Sequence, residues 1–180
     1  MKSRYGSWCL LAGAAEGLGK AFAESLAMRG LHIILVDWQA ESLHSLGDSL
    51  EKSFGISTRR LHLDLADQES IHPILEALEE TSCRMLIYNA AFSKIRKFQN
   101  YSSGELDRFL QVNTRTPIHL LHGLVKRQVW NSGQRGGIIL MASLAGLWGS
   151  QYLAPYGASK ACMINLAEAL HHEMKQQGRM

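Results

Sequence analysis

The chain has 180 residues, of which 46% are apolar and 19% are charged, a balance that is ordinary for one globular domain with its own core. Its net charge of +3 is small and its basic residues are scattered, which argues against a nucleic-acid-binding surface or one for acidic membranes. No apolar run approaches the roughly 18 residues of a membrane span. The apolar stretch near the N-terminus is too short for a secretory signal. We therefore expect one domain over residues 1–180 and a cytoplasmic location.

The cysteine and histidine residues point away from disulfides and metals. Cys9, Cys83 and Cys162 are an odd number in apolar settings, which suits reduced core residues. Neither C-x-x-C nor a zinc-ligand spacing occurs among the cysteines and the eight histidines, so we expect no metal site.

Short apolar runs alternate with helical patterns, which predicts an α/β fold: a doubly wound, Rossmann-like parallel sheet. Predicted strands occupy residues 8–12, 32–36, 60–64, 85–88 and 137–142, and most are apolar on both faces. Predicted helices occupy residues 17–29, 40–54, 68–80, 104–128 and 156–177, with Gly178 as a cap and residues 92–103 as an exposed loop. The expected strand order 3-2-1-4-5 leaves residues 137–142 as an apolar edge, prone to self-association or instability.

A glycine-rich stretch, A-G-A-A-E-G-L-G, follows the first predicted strand and opens the first predicted helix. Gly13, Gly17 and Gly19 would let the backbone turn tightly and approach a pyrophosphate, which would meet free amides at the helix start. In the alternative interpretation, Gly13 only permits the turn and Gly19 only permits close helix packing.

Asp37 ends the second predicted strand, 18 residues after Gly19. An acidic side chain there can accept hydrogen bonds from both ribose hydroxyls of adenosine and would repel a 2′-phosphate, which favours NAD over NADP. Arg59 and Arg60 lie at the start of a predicted strand, away from the end where such ligands bind. The alternative role for Asp37 is a turn residue or a cap of the helix before Ala40.

Tyr156 and Lys160 stand four residues apart behind Pro155, a residue that is tolerated in the first turn of a helix. The two side chains would share one helical face, where the ammonium favours the phenolate. Because a free phenol has a pKa of about 10, such help is needed for proton exchange near neutral pH. Ser143, at the end of the fifth strand, could donate a hydrogen bond to a substrate carbonyl. The alternatives are an ordinary helix start and a hydroxyl that merely ends a strand.

The chain resembles the short-chain dehydrogenases/reductases along essentially its whole length, and four separate stretches carry the match. They are the glycine pattern of residues 13–19, L-D-L around Asp64, N-A-A at residues 89–91, and Ser143, Tyr156 and Lys160 with Asn113 upstream. The chain departs from the family pattern at Ala12, which replaces a threonine, at N-A-A, which replaces N-A-G, and at Tyr88. The first two changes would tune cofactor affinity without preventing binding.

The resemblance implies roles for the matching residues. Cofactor contacts are implied for the glycine loop, for strand ends and for the helical pair: Gly13, Glu16, Gly17, Leu18, Gly19, Asp37, Asp64, Leu65, Asn89, Ala90, Tyr156 and Lys160. Among these, Asp64 and Leu65 would contact the adenine. Catalytic roles are implied for four residues, with Tyr156 as general acid or base: Asn113, Ser143, Tyr156 and Lys160. Asn113 would hold a water in a proton relay, or it only satisfies backbone groups within its helix.

Two functions remain open from the sequence. The first is an NAD-dependent oxidoreductase that acts on a small-molecule alcohol or ketone. Apolar residues near the site favour an apolar substrate, unless they serve packing or a subunit interface: Leu144, Leu147, Trp148, Tyr152 and Leu153. The resemblance implies homodimers or homotetramers through the two long helices. Family members usually continue for two more strands, a helix and a lid, so we expect a truncated chain. The second function is a catalytically incompetent cofactor-binding or interaction module.

Overall fold

The apolar runs of the sequence form the strands of one parallel sheet. The structure is a computed structural model and describes residues 2–126 and 135–176. The strands are β1 (Trp8–Ala12), β2 (His32–Asp37), β3 (Thr58–His62), β4 (Met85–Tyr88) and β5 (Gly137–Leu140). Their spatial order is β3-β2-β1-β4-β5, which confirms the predicted order and the doubly wound fold.

Helices cover both faces of this sheet. They are α1 (Lys2–Tyr5), α2 (Gly17–Met28), α3 (Ala40–Phe54), α4 (Ile71–Glu80), α5 (Ser103–Leu110), α6 (Thr116–Lys126) and α7 (Ala154–Gln176). Short 3₁₀ turns occur at Gln68–Ser70, Phe98–Asn100 and Leu144–Gly146. Gln128, Gln177 and Gly178, which were predicted as helix ends and a cap, lie outside the described residues. No helix within the described ranges is both long and apolar enough to cross a membrane.

The two faces of the sheet bury two separate cores. Leu10 and Leu86 point to the face packed against α4 and α6, whereas Leu11 and Ile87 point to the face packed against α2 and α3. This alternation explains why β1, β2 and β4 are nearly continuous apolar runs, since nearly every residue of these strands is covered on one side or the other. The buried Cys9 and Cys83 are free thiols within these cores.

The third strand lies two residues earlier than predicted. We expected residues 60–64, but the ladder pairs Thr58 with Ile33 and ends where His62 faces Asp37. Glu51 holds the start of the strand by accepting from the Thr58 N–H at 2.7 Å. The chain then turns at Asp64, whose Oδ1 accepts from the Ala66 N–H at 2.9 Å. Asp64 therefore belongs to the loop after the strand, at the carboxyl edge of the sheet.

The helix predicted over residues 104–128 is interrupted. A π-helical turn, Gln111–Arg115, separates α5 from α6. Pro117 explains the wide turn, because it has no N–H to donate to the carbonyl of Asn113 four residues earlier. The prediction overlooked this proline. The interruption places Asn113, which is buried, at the point where the helix widens.

Strand β5 forms one edge of the sheet and pairs with β4 on its other side. Its ladder covers residues 137–140 rather than the predicted 137–142, although the Met141 N–H still donates to the Tyr88 carbonyl at 3.0 Å. Ile139 is 37% exposed on this strand. An apolar edge was predicted, and self-association through it stays a prediction.

Candidate functional site

A groove of about 580 Å³ opens where β1, β2, β3 and β4 end. Fourteen residues line it: Gly13, Glu16, Asp37, Trp38, Gln39, Leu63, Asp64, Leu65, Asn89, Ala90, Ala91, Phe92, Arg108 and Val112. Seven of the predicted cofactor-binding residues are in this set, from Gly13 to Ala90. The predicted residues Gly17, Leu18, Gly19, Tyr156 and Lys160 do not line this groove.

The glycine turn is fixed by close backbone packing at two positions. A Cβ on Gly13 would lie 2.6 Å from the backbone nitrogen of Ala90, and one on Gly19 would lie 1.9 Å from the Gly13 carbonyl oxygen. Gly13 and Gly17 both have a left-handed φ, +77° and +54°, but a Cβ on Gly17 would meet nothing within 4 Å. Packing and conformation together explain Gly13, packing explains Gly19, and conformation alone explains Gly17.

The start of α2 is adjacent to the groove and carries a partial positive charge. Its N-cap residue, Glu16, lines the groove and makes no capping hydrogen bond with its side chain. The Asn89 side chain instead braces the turn by donating to the Gly13 carbonyl at 2.8 Å. A helix start that its own N-cap side chain leaves uncapped can accept an anionic group.

Asp37 is buried, with 6% exposure, at the end of β2. Its Oδ2 accepts from the Ala15 N–H at 2.9 Å and its Oδ1 accepts from the Gln39 N–H at 3.1 Å. Gln39 is the N-cap residue of α3, so Asp37 has the turn role that the alternative interpretation gave it. A carboxylate has about four acceptor positions, so about two remain for ligand hydroxyls. The two roles are compatible.

Arg59 and Arg60 lie outside the groove lining. Arg59 pairs with Glu80, and Arg60 pairs with Asp48 and Glu51. These ion pairs hold both cations on β3, away from the groove residues.

Asp64 lines the groove and forms an ion pair with Arg108 of α5. The sequence analysis missed Arg108, because ion-pair partners 44 residues apart leave no spacing pattern. It also missed Trp38 and Phe92, which line the same groove. Trp38 directly follows Asp37, and that adjacency was the available signal.

Tyr156 and Lys160 lie one turn apart near the start of α7. The Lys160 Nζ is 5.6 Å from the centroid of the Tyr156 ring and donates to the Met141 carbonyl at 2.7 Å. Lys160 is only 3% exposed, and this burial lowers its pKa. The ordinary interpretation of this spacing required a solvated lysine, so the observed burial argues against it.

Ser143 follows β5, and two glycines press its loop against α7. A Cβ on Gly157 would lie 2.6 Å from the Ala145 carbonyl oxygen, and one on Gly146 would lie 2.8 Å from the Ala161 nitrogen. The half-buried Ser143 accepts from the Ala145 N–H through Oγ at 3.3 Å. Its hydroxyl hydrogen is not used by that contact, so Ser143 can donate to a substrate oxygen.

Asn113 connects the groove to α7. Its Oδ1 accepts from the Phe92 N–H at 2.7 Å, and its Nδ2 donates to the Phe92 carbonyl at 2.8 Å and to the Ser159 Oγ at 3.1 Å. The side chain therefore satisfies backbone groups, but those of Phe92 in the loop after β4 rather than those of its own helix. The water relay stays a prediction.

Two loops form an apolar rim beside Tyr156. The rim consists of exposed side chains on the segments around residues 95–98 and 144–152: Ile95, Phe98, Leu144, Leu147, Trp148 and Tyr152. Tyr152 has a left-handed φ of +67°, and its carbonyl accepts from the Arg96 N–H at 3.1 Å. This contact ties the two loops together. A non-glycine residue held in this conformation costs free energy, so the surrounding contacts must maintain it.

No three histidine, cysteine or acidic side chains come together as a metal-ligand set in the parts of the chain that the structure describes.

Comparison with known proteins gives three concordant findings. The profile of the short chain dehydrogenase family matches residues 7–178. A 7beta-hydroxysteroid dehydrogenase of Clostridium sardiniense is 30% identical over 172 residues, which are 96% of this chain and 65% of that protein. The bulky-bulky ketone specific alcohol dehydrogenase of Comamonas testosteroni has a similar structure, with a TM-score of 0.89 and 25% identity over 94% of this chain and 68% of that one.

Similar structures contain both kinds of nicotinamide cofactor. A dehydrogenase of Sphingobium yanoikuyae in complex with NADPH has a TM-score of 0.89 and 26% identity, covering 96% of this chain and 67% of that one. An NAD⁺-bound xylitol dehydrogenase has a TM-score of 0.83 and 27% identity, covering 96% and 66%. This chain therefore spans about two thirds of the length of its relatives, and similarity alone does not choose between the cofactors.

Proposed function

Because the chain belongs to the short-chain dehydrogenase family, we propose that it transfers hydride between NAD(H) and a bulky apolar alcohol or ketone, with Tyr156 as general acid or base. The observation that carries this proposal is the buried ammonium of Lys160 beside the Tyr156 ring. Asn113 joins the helix that holds this pair to Phe92, which lines the groove. This connection supports a site in which Tyr156 would transfer the proton beside a cleft of suitable size for a cofactor.

The lining residues fit a dinucleotide. The uncapped start of α2 and the open space at Gly17 suit a pyrophosphate, and Asp37 retains acceptor positions for ribose hydroxyls. Asp64 and Leu65 would border the adenine, and Asn89 and Ala90 the middle of the cofactor. When bound, the nicotinamide would supply or accept the hydride.

Side chains of this protein would donate the proton and bind the carbonyl oxygen of the substrate. In ketone reduction, Ser143 would donate a hydrogen bond to the carbonyl, and the Tyr156 hydroxyl would protonate the developing alkoxide. Lys160 would stabilise the resulting phenolate. At the 5.6 Å between Nζ and the ring centroid, the attraction for a full negative charge is about 3 kcal/mol at an effective dielectric constant of about 20.

The decisive experiment measures NADH binding and ketone-dependent NADH oxidation by the same preparation of the chain. We expect binding in the micromolar range and oxidation that depends on both ketone and protein. Binding without turnover would replace this proposal with the catalytically incompetent cofactor-binding module. The assembly into homodimers or homotetramers and the cytoplasmic location stay predictions.

Replacing Asp37 by Asn should weaken the preference for NADH over NADPH by about tenfold, because the repulsion of the 2′-phosphate disappears. The amide keeps the shape of the carboxylate but only one acceptor oxygen, so either the Ala15 or the Gln39 N–H loses its acceptor. A loss of affinity that is common to both cofactors cancels in the ratio of their dissociation constants. Dissociation constants of both cofactors, measured by fluorescence titration, test this. Asp48→Asn, at an exposed acidic residue of α3, is the control and should leave the ratio unchanged. An unchanged ratio in Asp37→Asn would show that another residue selects the cofactor.

Replacing Trp148 by Gln should lower kcat/KM for a fused-ring ketone by about tenfold and leave cyclohexanone nearly unaffected. Trp148 is 59% exposed on the apolar rim, and losing about 55 Å² of apolar contact costs about 1.4 kcal/mol. Steady-state kinetics with the two ketones measure this difference, and the smaller ketone serves as the internal control. Equal losses for both ketones would place Trp148 in packing rather than in substrate contact.

A further inference from the structure

Arg108 is a groove residue that no sequence motif pointed to. It lies in α5, and it is the sole lysine or arginine among the fourteen described lining residues, which also include the carboxylates of Glu16, Asp37 and Asp64. Its side chain is 36% exposed, so part of it faces solvent while it also lines the groove. A charged residue on the surface alone would not need to line a groove.

The contacts of Arg108 fix both the place and the orientation of the Asp64 carboxylate. Its Nη2 lies 2.9 Å from Asp64 Oδ2 and 3.1 Å from Oδ1. Its guanidinium also lies over the Phe92 ring, 5.6 Å from the centroid. An arginine held between an aromatic face and a carboxylate has little rotational freedom, so it can serve as a fixed support.

The acceptor positions of Asp64 can be counted. A carboxylate offers about four. Oδ1 accepts from the Ala66 N–H and from Arg108, and Oδ2 accepts from Arg108. Among the described residues these contacts occupy three positions, so about one position on Oδ2 remains for a ligand. That oxygen can accept a hydrogen bond, whereas a ligand carbonyl placed there would meet it with a repulsive lone pair.

We propose that Arg108 is a positioning residue that makes the groove select adenine over hypoxanthine, by holding Asp64 with Oδ2 ready to accept from the 6-amino group. The inference rests on the proposed function, since it needs a dinucleotide in the groove. Hypoxanthine carries a carbonyl oxygen where adenine carries the amino group, so it opposes the same carboxylate. Without Arg108, the Asp64 carboxylate keeps, within the described part of the chain, only the hydrogen bond from the Ala66 N–H to Oδ1, so Oδ2 loses its fixed orientation and the discrimination between the bases falls.

The test compares NADH with its hypoxanthine analogue, reduced nicotinamide hypoxanthine dinucleotide, in binding titrations on the full chain. The wild type should bind NADH at least tenfold more tightly than the analogue, because a hydrogen bond to a charged group is worth about that factor. Arg108→Met should reduce this ratio about fivefold or more, mainly by weakening NADH. Because both titrations use one preparation, a misfolded fraction cancels in the ratio.

Two further variants separate positioning from general support. Arg108→Lys keeps a cation near Asp64 and should recover part of the ratio. Arg59→Met removes an arginine of the same 36% side-chain exposure from the Glu80 ion pair on β3 and should leave the ratio unchanged.

Each remaining outcome decides against the proposal. A wild type that binds both dinucleotides equally, or an Arg108→Met variant that weakens both equally, would overturn the inference and leave the proposed function intact. A wild type that binds neither NADH nor NADPH would overturn both.

Discussion

Replacing Tyr156 by Phe is expected to reduce kcat for ketone reduction by about a thousandfold while the dissociation constant of NADH changes less than twofold. The change removes one oxygen atom, the proposed proton donor, and a positioned general acid contributes about 10²–10⁴ to the rate. Single-turnover oxidation of NADH at saturating ketone, together with binding titrations, measures the two quantities separately.

Tyr152→Phe is the matched control, since it removes the same atom four residues earlier on the apolar rim. Its kcat should stay within about threefold of wild type, because the Tyr152 contact that ties the loops uses the backbone carbonyl. Retention of more than a tenth of wild-type kcat in Tyr156→Phe would remove Tyr156 from the proton-transfer step.

Replacing Lys160 by Met should lower kcat at least a hundredfold and yet change the free energy of unfolding at neutral pH by less than about 1 kcal/mol. Turnover falls because the phenolate loses its neighbouring cation. Stability changes little, because the cost of burying an ammonium offsets the hydrogen bond to the Met141 carbonyl. Truncating an ordinary buried side chain costs about 2–5 kcal/mol.

The pH dependence of unfolding provides an independent check on Lys160. Burial lowers its pKa in the folded chain below the ordinary value of 10.5. At pH values between the lowered pKa of the folded chain and 10.5, the unfolded chain binds more protons at Lys160 than the folded chain does. The free energy of unfolding of the wild type therefore increases with pH over this range. Chemical denaturation from neutral pH to pH 10.5 should show that gain in the wild type and in Lys52→Met, an exposed control, but not in Lys160→Met. Parallel curves for all three proteins would contradict a desolvated Lys160.

The fold was predictable because strands buried on both faces of a sheet are continuous apolar runs, which are easily recognised in the sequence. β1 and β4 are short, continuous apolar runs, and their boundaries match the prediction. β3 is less buried and more polar, so its apolar signal is weaker, and the predicted strand began two residues too late. Its true start depends on Glu51, a contact from another element.

Residues of the candidate site could be predicted to lie together only where they are close in sequence. Tyr156 and Lys160 share one helical turn, so spacing alone brings them together. The pairing of Asp64 with Arg108 depends instead on how the loop after β3 meets α5. The same holds for Asn113, whose amide satisfies the Phe92 backbone only because the π-helical turn widens the helix there. Long-range contacts of this kind require the three-dimensional fold.

Because the outer side of β5 is an unpaired edge of the sheet that the structure describes, the tendency of the chain to aggregate should depend on protein concentration. Backbone N–H and C=O groups that face outward from an edge strand can hydrogen-bond to any extended peptide that approaches them. Aggregation through this side would follow the square or a higher power of concentration, whereas folding within one chain does not depend on it. Dilute solutions thus favour the isolated chain, and concentrated conditions during expression favour its association with other strands.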